Sequence, residues 1–281
     1  MTALGRRLQR AAALLYESNV LSIAKGAAYS GLVALFPILT MTATLLVQWR
    51  ASPVLGVLNR YLARVLPPGA DTIVLDQIAV EGDKPIGLLI TAILLAIWAG
   101  TGFQLSLMEG FNSVYRVPSR SFLNQRAVAT LLVFTTTMPM VGASALIVFG
   151  DRTEATLIRW MQNLPETTPL TVGVLWIGGI TRLVIAVSSV VLVTGLLYYI
   201  GPNRRVDWHS VWPGAWLATL LWTLATAGFA WYVRNIADYN VMYGSIGAVI
   251  ALLAWMYLLA IIACYGCAFN AAAVTRQRPA A

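Results

Sequence analysis

Charge is scarce in these 281 residues: Asp, Glu, Lys and Arg together make 11%, less than half the roughly 25% of a soluble domain. Histidine occurs once, at His209, and cysteine twice, at Cys264 and Cys267. No His/Cys/Asp/Glu set stands at metal-ligand spacing, and two cysteines inside an apolar run imply no disulfide framework. The Cys264–Cys267 pair, beside Gly266 and Ala268, reads as small residues that let helices approach closely. There is no Gly-rich phosphate loop and no Gly-x-Ser-x-Gly elbow. No cofactor and no metal are expected, and the chain is not expected to be an enzyme. What abounds is apolar: 59% of the residues, and about two-thirds once the 22 glycines are added, against roughly 45–50% in soluble domains. A soluble domain of this length has too much surface per residue to hide that share. The chain is expected in a bilayer.

A membrane helix needs about 20 mostly apolar residues. Uncharged runs of 24 residues cover Gly26–Trp49, Pro85–Met108, Ala127–Gly150 and Ser210–Val233, with further runs at Leu183–Asn203 and Tyr239–Thr275. These runs are too long for barrel strands of about 10 residues, so the spans are helical. The expected fold is an all-α membrane protein of one domain with six transmembrane helices, at about 26–49, 85–108, 127–150, 175–200, 210–233 and 245–269. Orientation follows the cations. The N-terminus, the second-to-third and fourth-to-fifth connections and the C-terminus together carry a net +8, and the opposite side a net −1. Both termini are therefore expected in the cytoplasm.

Two further elements are expected outside the bilayer. Leu4, Leu8, Ala11 and Leu15 share one helical face and Arg6, Arg10 and Glu17 another, which predicts an N-terminal amphipathic surface helix. The loop 50–84 is long for a compact bundle. Ser52–Pro53 and Asp71 can each start a short helix within it, giving a helical external cap.

Few residues inside the spans could do chemistry. Arg182 interrupts the fourth span. A charge there normally faces protein or water, unless it lies close enough to the interface to snorkel. On the second span Thr101, Glu109, Asn112 and Arg116 fall within an arc of about 80°, with Gln104 adjacent. The stripe either lines a vestibule or extends the helix into water. Asn240, Tyr243, Gly244 and Ser245, following Arg234 and Asn235, have the composition of a capped tight turn, with a ligand site as the alternative. Pro37 and Pro139 break the first and third spans, and each frees a carbonyl that a neighbour must satisfy.

Four stretches, GAAYSGLVALFPIL (26–39), AIWAGTGFQLSLMEGFNSVYRV (96–117), GPNRRVDWHSVWPGA (201–215) and YVRNIADYNVMYGSIGAVIALLAWMYL (232–258), occur in this order. In this arrangement the chain resembles the YihY/BrkB family of bacterial inner-membrane proteins, from about Leu14 to Asn270. The last two stretches are the most specific. The resemblance implies six helical spans with cytoplasmic termini in a bacterial inner membrane, and places Arg182 where the family often carries an arginine. The family's last span usually ends in a Gly-Ala-Glu-Leu-Asn-like segment, whereas here it reads Gly266-Cys267-Ala268-Phe269-Asn270. Ala268 removes the acid on which a proton relay would rest. An older label ties the family to a tRNA-processing ribonuclease, but acid–base or two-metal RNA cleavage needs a cytoplasmic carboxylate or histidine cluster that these residues lack.

These readings lead to a transport-type protein that moves or assists an amphiphilic envelope molecule, such as a lipid or lipid-linked anion. Arg182, Gln104, Glu109, Asn112, Arg234, Asn240 and Tyr243 are its candidate substrate-binding residues, and membrane lipids its expected partners. The alternative is a non-transporting scaffold that holds envelope proteins. No nucleic-acid partner is expected, because topology accounts for the basic residues.

Overall fold

Backbone N–H and C=O groups find no water inside lipid, and a helix closes those bonds within one segment. A computed structural model describes residues 3–48, 86–161, 168–235 and 245–274, and the described residues form helices with short connections and no strand. In chain order the helices are α1 (Ala3–Glu17), α2 (Val20–Gln48), α3 (Ile86–Tyr115), α4 (Phe122–Met161), α5 (Thr168–Ile200), α6 (Trp208–Asn235) and α7 (Ser245–Val274). Parts of α2, α3, α4, α5 and α7 are long and apolar enough to cross a membrane. The sixth expected span, α6, is 28 residues long and packs between α5 and α7, but tryptophan, threonine and glycine dilute its apolar content. The expected external cap at 50–84 lies outside the described residues, as do Asn240 and Tyr243.

Several helices outrun the spans expected of them. Helix α4 has 40 residues, about 60 Å at 1.5 Å per residue, and it continues through Asp151, Arg152 and Glu154. Charges mark where a helix leaves lipid. They do not end it.

The packing has a simple order. Helix α2 touches α3, α3 touches α4, α4 touches α5, α5 touches α6, α6 touches α7, and α7 returns to both α2 and α3. Helices α3 to α7 therefore close a ring, and α2 lies in the groove outside the α3–α7 seam.

One end of this ring is ordered by polar contacts. Helix α3 stops in a Schellman turn: the Arg116 N–H donates to the Ser113 carbonyl and the Val117 N–H to the Asn112 carbonyl, both at 3.0 Å. Arg116 takes the left-handed conformation this turn requires (φ 53°), and its guanidinium pairs with Glu17 of α1 at 2.7 Å. Asn19, also left-handed (φ 52°), turns the chain from α1 into α2, a conformation asparagine tolerates better than most residues. Helix α1 forms as expected, but its apolar face rests largely on protein. Ala11 and Leu15 are buried, while Leu4 stays exposed. Arg7 Nε donates to the Phe269 carbonyl at 3.1 Å and its guanidinium sits 4.0 Å over the Phe269 ring. The Tyr265 hydroxyl donates to the Leu8 carbonyl at 3.1 Å. Thus α1, the α3–α4 and α5–α6 connections and the end of α7 share one end of the bundle, the grouping that carries most of the cations. This end is called the basic end below.

Candidate functional site

Inside the ring of α3 to α7 lies a cavity of about 830 Å³, within the usual 300–1,000 Å³ of small-molecule sites. Its α6 wall is Thr219, Trp222, Thr223, Thr226 and Ala227, an i, i+3, i+4, i+7, i+8 face of one helix. Val187, Val190 and Leu197 of α5, and Met256, Leu259 and Ala260 of α7, supply apolar surface. Phe103, Gln104 and Leu107 of α3 and Thr136, Thr137 and Met140 of α4 complete it. No charged side chain lines it among the described residues.

The polar groups of this wall are few, and most are already engaged. The hydroxyls of Thr136, Thr219 and Thr223 donate to the carbonyls of Leu132, Ala215 and Thr219, four residues back, at 2.7–2.9 Å. Trp222 Nε1 donates across to the Leu259 carbonyl of α7 at 2.9 Å, and Trp255 Nε1 to Thr226 Oγ1 at 3.4 Å. Gln104 Nε2 donates to Thr136 Oγ1 at 3.3 Å. Gln104 is 6% exposed, and its Oε1 has no hydrogen-bond partner.

Leu183 also belongs to the cavity wall. It is shared with a shallow groove on the outer surface of α5, formed with Trp176, Gly179 and Ile180. Trp176, Ile180 and Leu183 are all exposed, so the cavity and this outer groove share an exposed residue. Arg182 stands beside it, half-buried, with Nε donating to the Gly178 carbonyl of its own helix at 3.0 Å. Tyr199, edge-to-face with Trp208 at 5.3 Å, stands at the basic end. Arg182 precedes Tyr199 by 17 residues, about 26 Å of helix axis.

The sequence-predicted residues are therefore not one cluster. Gln104 lines the cavity. Asn112, two turns further along α3, is 2% exposed but lies at the basic end, where its Oδ1 accepts the Asn203 N–H at 2.7 Å. Glu109, between them in sequence, points outward and is exposed. Arg182 flanks the cavity at its far side. The side chain of Arg234, like Asn240 and Tyr243, lies outside the described residues.

Residues that sequence reasoning did not single out organise the basic end. Arg120 donates to three successive carbonyls, Ile200 at 3.1 Å, Gly201 at 2.8 Å and Pro202 at 2.7 Å, and Asn203 Nδ2 donates to the Pro118 carbonyl at 2.9 Å. Partial burial holds the Arg120 guanidinium pKa below its ordinary value, yet far above any physiological pH, so the clamp stays charged. Burial lowers Arg7 in the same direction. In the core behind them Asn270 of α7, 1% exposed, accepts the Gly214 N–H at 2.8 Å and donates to the Val211 carbonyl at 3.0 Å. The Tyr198 hydroxyl donates to the Ala263 carbonyl at 2.7 Å. Among the described residues no group of three His, Cys, Asp or Glu side chains could hold a metal ion.

Comparison with known proteins adds a family. The sequence profile described as virulence factor BrkB matches residues 14–281. The "Putative ribonuclease-like protein YfkH" of Bacillus subtilis is 28% identical over 256 residues, covering 89% of either chain. A UPF0761 membrane protein of Chromobacterium violaceum is 28% identical over 269 residues, and one of Bordetella petrii 26% over 291. These matches cover 90% and 97% of this chain but 58% of each relative, so the chain spans little more than half the length of such relatives. No solved structure matches.

Proposed function

Because the chain belongs to the virulence factor BrkB family, whose UPF0761 relatives are membrane proteins, we propose that this multi-pass protein binds an amphiphilic envelope molecule. The reading is of a transport-type protein that moves or assists a lipid or lipid-linked molecule, in a bacterial inner membrane with the basic end toward the cytoplasm. The observation that carries it is the cavity, apolar enough for a hydrocarbon chain and bordered by Leu183, which also lines the exposed groove on α5. A chain entering there keeps its headgroup beside Arg182, where a guanidinium suits an anion. The orientation rests on the cations of the basic end.

The ribonuclease-like name of the Bacillus subtilis relative finds no counterpart in this site. At the basic end Glu17 is held by Arg116, and among the described residues no group of three His, Cys, Asp or Glu side chains could hold the metal ions of a two-metal cleavage.

The test is to purify the protein in mild detergent and identify co-purifying lipids by mass spectrometry, for wild type, Ala186→Trp and Arg182→Ala. Ala186 lines the cavity, so tryptophan there fills it. Enrichment of one lipid class that disappears in Ala186→Trp supports the cavity as the site, and its weakening in Arg182→Ala assigns the headgroup contact. A profile equal to bulk membrane in all three overturns the reading and favours a scaffold that recruits envelope proteins.

A further inference from the structure

We infer that the cavity is a blind seat for a hydrocarbon chain: an anionic amphiphile enters it tail-first, its headgroup stops beside Arg182, and the floor admits a chain of about 16 carbons. This rests on the amphiphile reading above and adds the orientation of the ligand and the length of its chain.

The wall changes in one direction on all five helices. On α5, Leu183 is 64% exposed, and Leu197, nearer the basic end, is 5% exposed. On α6, Thr223 and Ala227 are exposed and Thr219 is buried. On α4, Thr137 and Met140 are exposed and Thr136 is buried. On α3 and α7, the half-buried Phe103 and Met256 give way to the buried Leu107 and Ala263. The cavity therefore has an accessible rim away from the basic end and a floor toward it. Behind the floor the bundle is filled. Tyr198 is fully buried, edge-to-face with Phe111 at 5.5 Å, and its hydroxyl donates to the Ala263 carbonyl.

Polarity follows the same gradient. Toward the floor, Thr219 gives its proton to the Ala215 carbonyl. Gln104 and Thr136 face each other, and Gln104 Oε1 is shielded from the cavity. The hydroxyls of Thr137, Thr223 and Thr226 stand in the outer half. Arg182 adjoins Leu183, the outermost lining residue of α5, and its Nε turns to the Gly178 carbonyl, a further turn away from the floor. Hydrocarbon gains most where the wall is apolar and water is excluded, and an anion gains most beside a guanidinium. The two ends of an amphiphile are thereby ordered. The reverse orientation would put an uncompensated charge among Leu107, Leu197 and Ala263.

Length follows from α5, the long wall. From Leu183 to Leu197 it rises about 21 Å at 1.5 Å per residue. An extended chain of carbon–carbon bonds advances about 1.25 Å per carbon, so about 16 carbons reach from rim to floor.

The experiment equilibrates the purified full chain in mild detergent with two photoreactive palmitates, at about pH 9 where the carboxylate is ionised. One carries a diazirine at the terminal carbon, the other beside the carboxylate. After irradiation, peptide mapping by mass spectrometry is expected to find the terminal probe on Leu107, Leu197 or Ala263 and the other on Met140, Leu183 or Ala227. Tritiated laurate, palmitate and arachidate then test the floor, with protein-bound label read against label left in micelles. Wild type is expected to retain arachidate severalfold less than palmitate, because the extra carbons hold its carboxylate away from Arg182. Ala263→Leu raises the floor, and palmitate is expected to fall severalfold there with laurate unchanged. A terminal probe found at the rim, or both probes on one set of residues, would overturn the inference while leaving an amphiphile-binding cavity. Arachidate retained as well as palmitate by wild type would overturn it too, as would a length dependence unchanged in Ala263→Leu. Should that variant fail to fold, the probe map and the wild-type series decide alone. Labelling of the cavity by neither probe removes the amphiphile reading itself.

Discussion

Gly214 of α6 and Gly266 of α7 cross with their backbones in direct contact, and a Cβ on either would collide with the partner's carbonyl oxygen. Small residues permit such approaches between membrane helices, where packing and hydrogen bonds rather than hydrophobic collapse hold helices together. The crossing lies at the basic end. Further along the same two helices Trp222, Thr226, Met256 and Leu259 face the cavity. The glycine crossing therefore sets where α6 and α7 are closest, and the larger side chains beyond it stand where they part.

Alanine at Gly266 is expected to destabilise the fold by about 1–3 kcal/mol, the usual cost of overpacking. Its Cβ would press on the Tyr198 hydroxyl, on the Gly214 carbonyl and on the Ala218 methyl, none of which is the far end of a flexible chain. Gly142→Ala and Gly228→Ala are the controls, because nothing lies within 4 Å of a Cβ there. They should be neutral or slightly stabilising. Thermal unfolding in one detergent, read side by side, checks the contrast, and equal melting temperatures for Gly266→Ala and Gly228→Ala would refute the crossing.

Asn270 is expected to be as sensitive for a different reason. Leucine there keeps volume but loses the bonds to the Gly214 N–H and the Val211 carbonyl, each worth about 0.5–1.5 kcal/mol net. Since Asn270 and Gly214 share one contact, the double variant Asn270→Leu/Gly214→Ala should lose less than the sum of the singles. Additive losses would mean the two residues act independently.

How much of this was legible in the sequence differs from element to element. The spans were, because lipid demands long uncharged runs and the chain supplies them. Their true ends were not: α4 continues to Met161 past Asp151, since a charge ends membrane contact without ending the helix. The α3 stripe was legible as polar residues on an apolar helix, but angle alone grouped Glu109 with Asn112, and neighbours separate them. Asn112 meets the Asn203 backbone, and Glu109 meets no such partner and is exposed. The threonine wall of α6 escaped notice because hydroxyls that bond to their own helix read as harmless in an apolar run. Asn270 was read only as part of a motif with a missing acid, yet it is the residue that joins α6 to α7. Arg120 looked like one more topological cation, and its three carbonyl partners come from a connection about 80 residues away.

Arg120 should accordingly control the α5–α6 connection. Its planar fork reaches the carbonyls of Ile200, Gly201 and Pro202 together, which the single ammonium of lysine cannot reproduce. Both Arg120→Lys and Arg120→Ala are expected to speed tryptic cleavage after Arg204 or Arg205 severalfold, with alanine the faster. Measured on folded protein in detergent, cleavage at the wild-type rate in both variants would show that the clamp does not restrain this segment.

The orientation can be decided by where a thiol meets water. The native Cys264 and Cys267 are 1% and 0% exposed, so the wild-type chain should stay unlabelled by a membrane-impermeant maleimide and serve as its own background. Tyr16 is 81% exposed on α1, at the end that gathers Arg6, Arg10, Arg116, Arg120, Arg204 and Arg205. Cations retained on the cytoplasmic face imply that Tyr16→Cys is protected in intact cells and labelled once the membrane is permeabilised. Ala70→Cys, in the connection between α2 and α3, should show the reverse, since one crossing separates the two positions. Labelling of Tyr16→Cys in intact cells would invert the molecule, and with it the leaflet from which a ligand reaches Arg182.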